Sequence, residues 1–222
     1  DRKALVLPDP YTNYSHPYVG KAAVRVLEAA GVHVTVPEEV SDSGRPAFSK
    51  SMLDHAQATA EENVRALEPY VAEGWDIVTV EPSDAVMYQS DYLDLVPSDA
   101  AARVAANAYG VSEYIDTYEL GEHIDFDAPD ESLAYHGHCQ QKATKKDHHA
   151  AAVLRRAGYE VDAVDYEAEH VSMSKAIGSI LFDQLDDSPA NQPVAPGASC
   201  RSQLEDYDGE PPHPIEKLAD AL

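Results

Sequence analysis

Two cysteines carry the sharpest chemistry in this sequence, and each stands where a strand gives way to a helix. Cys139 lies in Tyr135-His136-Gly137-His138-Cys139-Gln140-Gln141-Lys142, and Cys200 in Pro196-Gly197-Ala198-Ser199-Cys200-Arg201-Ser202-Gln203. A thiolate at a helix start faces the positive end of the helix dipole, which lowers its pKa and suits it to soft metals. Arg201 beside Cys200 is expected to favour the thiolate further. Two cysteines with no secretory signal make no disulfide scaffold, and they are too few for an ordinary four-cysteine cluster site. The bland alternative is a pair of buried, inert thiols; the placement at strand ends among Gly and His favours ligation. His136 and His138 alternate across a strand end, so at most one points at Cys139. A zinc site from His138, Cys139 and Cys200 has no motif spacing behind it. His148-His149 falls in mid-helix, with at least one ring facing solvent.

Positioning these residues falls to alternating strands and helices. Residues 4–7 read as a strand. Pro17 opens a helix, where its missing N–H costs nothing, and Gly31 stops it. Residues 32–36 form the next strand. A long amphipathic helix is expected over 48–73, with Met52, Ala56, Val64, Leu67 and Val71 at mostly helical spacing. Gly74 ends it, and 76–80 is the third strand. Helical pieces follow at 91–95 and 100–108, and Ser112 is expected to cap another reaching residue 120. Strands at 133–136, 159–164 and 193–195 then alternate with helices at 142–157 and 167–185, and a helix at 214–222 closes the chain. This alternation predicts an α/β fold of two tandem Rossmann-like βαβ units with parallel sheets, related by an approximate twofold. The first unit is placed at 1–130 and the second at 131–222. Ligands in such sheets sit beyond the carboxyl ends of the strands. That rule selects loops 8–16, 37–47, 81–86, 136–141, 165/166 and 196–201, and both cysteines fall in the set.

The two halves repeat. AAVRVLEAAGVHVTV from Ala22 matches AAVLRRAGYEVDAV from Ala151. Fifty positions separate Val34 from Asp84, but only 39 separate Val161 from Cys200, so the second copy is 11 residues shorter. Its strand at 164–165 runs directly into a helix at Tyr166, although such connections usually take two to six residues. The arithmetic predicts a break between Asp165 and Tyr166 with further residues between; a true deletion is the alternative. In the first copy the equivalent loops carry Asp42, Ser43 and Asp84 without sulfur, with Gly44 and Arg45-Pro46 following. Those groups could hold a hard cation, but solvated loop residues are the favoured reading.

A formal net charge of −24, from 40 acidic and 16 basic residues, is spread over helix faces and loops. High salt makes such self-repulsion tolerable, because the Debye length falls to about 3 Å at 1 M. This points to a halophile cytoplasm and argues against nucleic-acid and anionic-membrane partners. No apolar run approaches a membrane span, and nothing at the start resembles a signal peptide. A chain that opens on Asp1 and enters a strand at once reads as a segment of a longer polypeptide.

Several short motifs together resemble one family. They are Leu7-Pro8-Asp9 with Thr12-Asn13-Tyr14, Gly44-Arg45-Pro46, Glu81-Pro82-Ser83, His136-Gly137-His138-Cys139, Tyr166-Glu167-Ala168-Glu169-His170, Ser199-Cys200-Arg201 with Gln203, and His213-Pro214. The chain resembles a CCG domain, the cysteine-rich module of heterodisulfide reductase, here in the version found in the C-terminal part of FAD-linked oxidases of the D-lactate dehydrogenase type, from a haloarchaeal source. The resemblance implies an iron–sulfur cluster in the second half, with Cys139 and Cys200 as metal ligands and His136, His138, Glu169, Arg201 and Gln203 around it. It places the family's Cys-Cys-Gly loop just before Tyr166, where the repeat falls short, and implies that the first half has lost its sulfur ligands. It further implies FAD in another domain of the same polypeptide or complex, an electron acceptor as partner, a 2-hydroxy acid as substrate, and a cytoplasmic location with any contact to the inner membrane face made through partners. A redox-silent docking module is the rival from a different class.

Overall fold

The computed structural model describes residues 2–40, 42–164 and 174–222, the side chains of 174–179 excepted. In chain order the first elements are β1 (Lys3–Leu7), a π-helical turn at Tyr11–Ser15, α1 (Pro17–Ala29), β2 (His33–Thr35), α2 (Arg45–Ser49), α3 (Leu53–Ala72) and β3 (Asp76–Thr79). Then α4 (Pro82–Val86) leads through a second π-helical turn into α5 (Tyr92–Leu95), α6 (Asp99–Ala106), β4 (Ala108–Gly110) and α7 (Val111–Thr117). The rest comprises β5 (Ser132–Tyr135), α8 (Cys139–Ala143), α9 (His148–Arg156), β6 (Glu160–Ala163), α10 (Ser174–Asp187), β7 (Gln192–Val194), α11 (Ala198–Asp208) and α12 (Pro214–Asp220).

The fold is α/β with two parallel sheets, ordered β2-β1-β3-β4 and β6-β5-β7. In both, the second strand lies on one side of the first and the third on the other. The chain therefore reverses its direction of travel between β1 and β3, and again between β5 and β7. Helix packing repeats the same relation. The first long helix of one half packs on the last helix of the other: α1 on α12, and α9 on α7. That reciprocal exchange is what an approximate twofold between the halves produces.

Helix α1 shows why these sequences fold so. Val19, Ala22, Ala23, Val26 and Leu27 are its buried residues, at the spacing of one helical face. Gly31 follows the helix with φ of 79°, a conformation that costs glycine little. Strand β1 is buried on both faces. Ala4 and Val6 join the larger core with α1, Leu133, Leu154 and Leu218, whereas Leu5 and Leu7 join a second core with Ala60, Leu67 and Tyr92. The larger core thus draws side chains from both halves.

Four expectations need correction. The helix expected over 48–73 is two, α2 and α3, broken at Ser51 with φ of 59°. The helix expected over 142–157 is likewise α8 and α9, broken near Lys145 with φ of 58°. His148-His149 therefore opens α9 rather than sitting mid-helix. Strand β4 stands where the sequence reads as the end of a helix, because Ala-Tyr-Gly has no β-branched residue and follows an alanine-rich run. Gly110, not Ser112, precedes α7; its N–H meets the Glu113 carboxylate, and Ser112 lies inside the helix.

Lys146, in the α8–α9 connection, ties the halves. Its Nζ donates to Glu113 Oε1 at 2.6 Å and Gln89 Oε1 at 2.8 Å, and Gln89 Nε2 donates to Glu113 Oε2 at 2.9 Å. Glu113 is buried, so losing its cation leaves it poorly compensated. Lys146→Met is expected to cost about 1–3 kcal/mol, read as a lower denaturant midpoint. An unchanged midpoint would show that this tie contributes no stability.

Candidate functional site

The carboxyl ends of β5 and β7 flank the reversal point of the second sheet, where α/β folds offer a crevice. Beyond β5 the chain runs through buried His136 and His138 to Cys139, the exposed first residue of α8. Beyond β7 it turns through Pro196-Gly197 into α11, with Cys200 in the first turn. Thiols 61 positions apart in sequence thus share one sheet edge. Cys200 is buried in an apolar cluster with Ala134, Leu181 and Leu204.

His138 is held from three sides. Its Nδ1 accepts the Gln140 N–H at 3.3 Å, capping α8, which assigns the ring proton to Nε2. Nε2 stands 3.9 Å from Glu81 Oε1. The ring lies against Gly197, where an added Cβ would stand 2.2 Å from His138 Cδ2. Burial, with the Arg45 charge adding to it, pushes the imidazole down to about 4, so it is neutral at pH 7.

The expected low-pKa thiolate at Cys200 is overturned. Burial first, then the charges of Cys139 and Glu81, push its thiol up to about 12. The helix start does not rescue it, because another group already occupies that end: Glu81 Oε2 accepts the Ala198 N–H at 2.9 Å. Nor does Arg201 serve Cys200. Its guanidinium is buried and donates to Glu210 Oε1 at 2.6 Å, the Pro211 carbonyl at 3.1 Å and Tyr18 Oη at 3.3 Å. Gln203 is half-buried further along α11. Glu169, the segment 166–170 and the 165/166 junction lie outside the described residues.

The first half places carboxyl groups at its own reversal point. Asp9, after β1, accepts the Tyr11 N–H at 2.8 Å, the Thr12 N–H at 3.1 Å and the Thr12 hydroxyl. Glu81, after β3, accepts from Ser83 Oγ at 2.9 Å. Ser43 Oγ donates to Asp84 Oδ1 at 2.6 Å, and both residues are buried. These are not solvated loop groups, contrary to the expectation for Ser43 and Asp84. Burial pushes the Asp84 carboxyl up to about 7; the Ser43 bond opposes this, while the charges of Asp9, Glu81 and Asp42 add to it.

The two edges meet. Arg45, from the glycine loop of the first half, donates to Asp91 Oδ2 at 3.1 Å. With the Gln140 amide oxygen turned toward it, it also donates to Gln140, the residue after Cys139. Helix α4 packs on α8. Sequence reasoning missed Asp9, Glu81 and the reach of Arg45. The signal was present, because all three fall in loops that the carboxyl-edge rule selects, but nothing in the sequence paired them with residues of the other half.

No family model matches the chain. It is similar to one component of the anaerobic glycerol-3-phosphate dehydrogenase of Escherichia coli, 23% identical over 234 residues that cover 96% of this chain and 57% of that protein. It is similar to D-2-hydroxyglutarate dehydrogenase of Escherichia coli, 25% identical over 237 residues that cover 100% of this chain and 23% of that protein. Lactate utilization protein A of Exiguobacterium is 32% identical over 109 residues, covering 49% of this chain and 41% of that protein. The chain therefore spans little more than half of one of these relatives and about a quarter of another.

Proposed function

We propose that this chain is an electron-transfer module of an FAD-linked dehydrogenase, with Cys139 and Cys200 as thiolate ligands of an iron–sulfur cluster in its second unit. The observation that carries the reading is the convergence of the chain's two cysteines on one sheet edge, one of them in an apolar pocket beside a second thiol. A neutral thiol there costs nothing, but two thiolates repel, and a bound cation would relieve that repulsion. Thiolates are soft anionic ligands that suit iron.

The donor set fits in kind and covers part of the number. Clusters take four thiolates, or two thiolates and two imidazoles in the Rieske type. Two thiolates come from this chain, and the remaining ligands come from other donors around the edge or from a partner. When bound, the cluster supplies one-electron transfer between a flavin and an acceptor. The protein's own part is positional. Gly197 leaves room for the His138 ring, His138 caps α8 below Cys139, and Glu81 fixes the start of α11 below Cys200.

Similarity to dehydrogenase components supports an oxidoreductase context, with a 2-hydroxy acid oxidised on FAD in another domain of the same polypeptide or complex. Residues 1–130 form the first unit in this reading and 131–222 the second. The charge of −24 supports a salt-rich cytoplasm, and among the described residues no helix is long and apolar enough to cross a membrane.

A second reading has its own observation. In the first unit, the Ser43–Asp84 hydrogen bond closes the position where the family resemblance puts sulfur ligands, and a docking module would need no more than that. Anaerobic reconstitution with ferrous iron and sulfide separates the two. Visible absorbance should rise, and Cys139→Ser or Cys200→Ser should weaken the gain. No iron uptake by the unaltered protein would replace the electron-transfer reading with the docking one.

A further inference from the structure

A second cluster of ligating side chains uses neither cysteine. Asp116 stands on α7 of the first half, and His148 and His149 open α9 of the second. His149 Nδ1 is 2.6 Å from Asp116 Oδ2. The two imidazoles lie side by side, with centroids 4.0 Å apart and planes 35° apart. One ligand atom from each of the three residues falls within 4.8 Å of the others. Ligand atoms on one tetrahedral zinc stand about 3.3 Å apart, so a modest turn of the exposed His148 ring closes the set.

We propose that Asp116, His148 and His149 bind one divalent transition-metal ion of the zinc class, which staples α7 to α9 and so joins the two halves. Two imidazoles with a carboxylate suit zinc, nickel or copper better than magnesium or calcium. Three protein ligands leave a fourth position for water. His149 enters as the neutral ring, its proton on Nε2 and its Nδ1 lone pair on the metal; the hydrogen bond to Asp116 Oδ2 gives way to shared coordination. The strongly negative chain favours divalent cations generally, but one neighbour opposes this site. Arg156 Nη1 donates to Asp116 Oδ1, which occupies an oxygen and adds a positive charge. Arg156 therefore sets the affinity.

The test is zinc titration by calorimetry on the protein carrying Cys139→Ser and Cys200→Ser, so that no thiol of this chain competes. One ion per chain should bind, with a rise in melting temperature that grows with zinc concentration. Cobalt in its place should show ligand-field bands of nitrogen and oxygen coordination. Asp116→Asn and His149→Ala should abolish binding, and His148→Ala should weaken it at least tenfold. Arg156→Gln should tighten binding several-fold. A merely structural cluster predicts no such gain, and a tightened affinity cannot arise from misfolding. Absence of saturable binding, or binding that Asp116→Asn and His149→Ala leave intact, would overturn the proposal.

Discussion

Replacing Asp84 with Asn is expected to stabilise the protein at pH 8, by up to about 4 kcal/mol, and to flatten its stability between pH 4 and 7. The folded-state carboxyl sits at about 7, against an ordinary value of 3.8, because it is buried among Asp9, Glu81 and Asp42. A raised carboxyl means that the folded chain keeps a proton which the unfolded chain releases. Stability from this group is full below pH 4, falls as pH climbs through 7, and is level above. Asn keeps an acceptor oxygen for the Ser43 hydroxyl, which now donates at 2.6 Å, and its amide can donate to the neighbouring carboxylates. The figure is an upper bound, since those neighbours share the repulsion. Urea unfolding at pH 5 and pH 8 reads the effect. A variant no more stable than the parent at pH 8 would show that the Asp84 carboxyl is not raised by its surroundings.

Gly197→Ala is expected to cost about 1–3 kcal/mol and to reduce iron uptake. Gly197 has ordinary extended dihedrals, φ −97° and ψ 141°, so its backbone does not require glycine. Space does: the new Cβ would stand 2.2 Å from His138 Cδ2 and 3.0 Å from Nε2. The ring can leave only by giving up its cap on α8 and its place beside Glu81. His138→Ala in the Gly197→Ala background should recover part of the loss, and a double-mutant cycle measures that coupling. If Gly197→Ala unfolds at the parent's midpoint, the close approach is not a constraint.

Much of this architecture was legible because it rests on local pattern. Pro17 and Gly31 bracketed α1, whose buried Val19, Ala22, Ala23, Val26 and Leu27 share one face, and Gly74 marked the end of α3. The carboxyl-edge rule put Cys139 and Cys200 among the candidate loops, because it depends only on parallel strands alternating with helices; the order β6-β5-β7 then set the two loops side by side. Illegible features were those decided between distant segments. Strand β4 exists because it pairs with β3, not because Ala-Tyr-Gly favours a strand. The Cys200 thiol is raised first by burial against Ala134, Leu181 and Leu204, then by the charges of Cys139 and of Glu81, which comes more than a hundred residues earlier and takes the start of α11. The acidic pocket is invisible for the same reason: Asp9, Ser43, Glu81 and Asp84 meet only after two parallel crossovers. Arg201 looked like a partner for its neighbour, yet Glu210 and the Pro211 carbonyl claim its guanidinium.

The central claim is that Cys139 and Cys200 hold an iron–sulfur cluster. Its most direct test is the iron and acid-labile sulfide content of protein isolated without oxygen, beside Cys200→Ser isolated in the same way. The account predicts iron and sulfide in near-equal amounts in the unaltered protein and a marked loss of both in the variant. Neither iron nor sulfide above background in the unaltered protein, or equal content in the two, would contradict it.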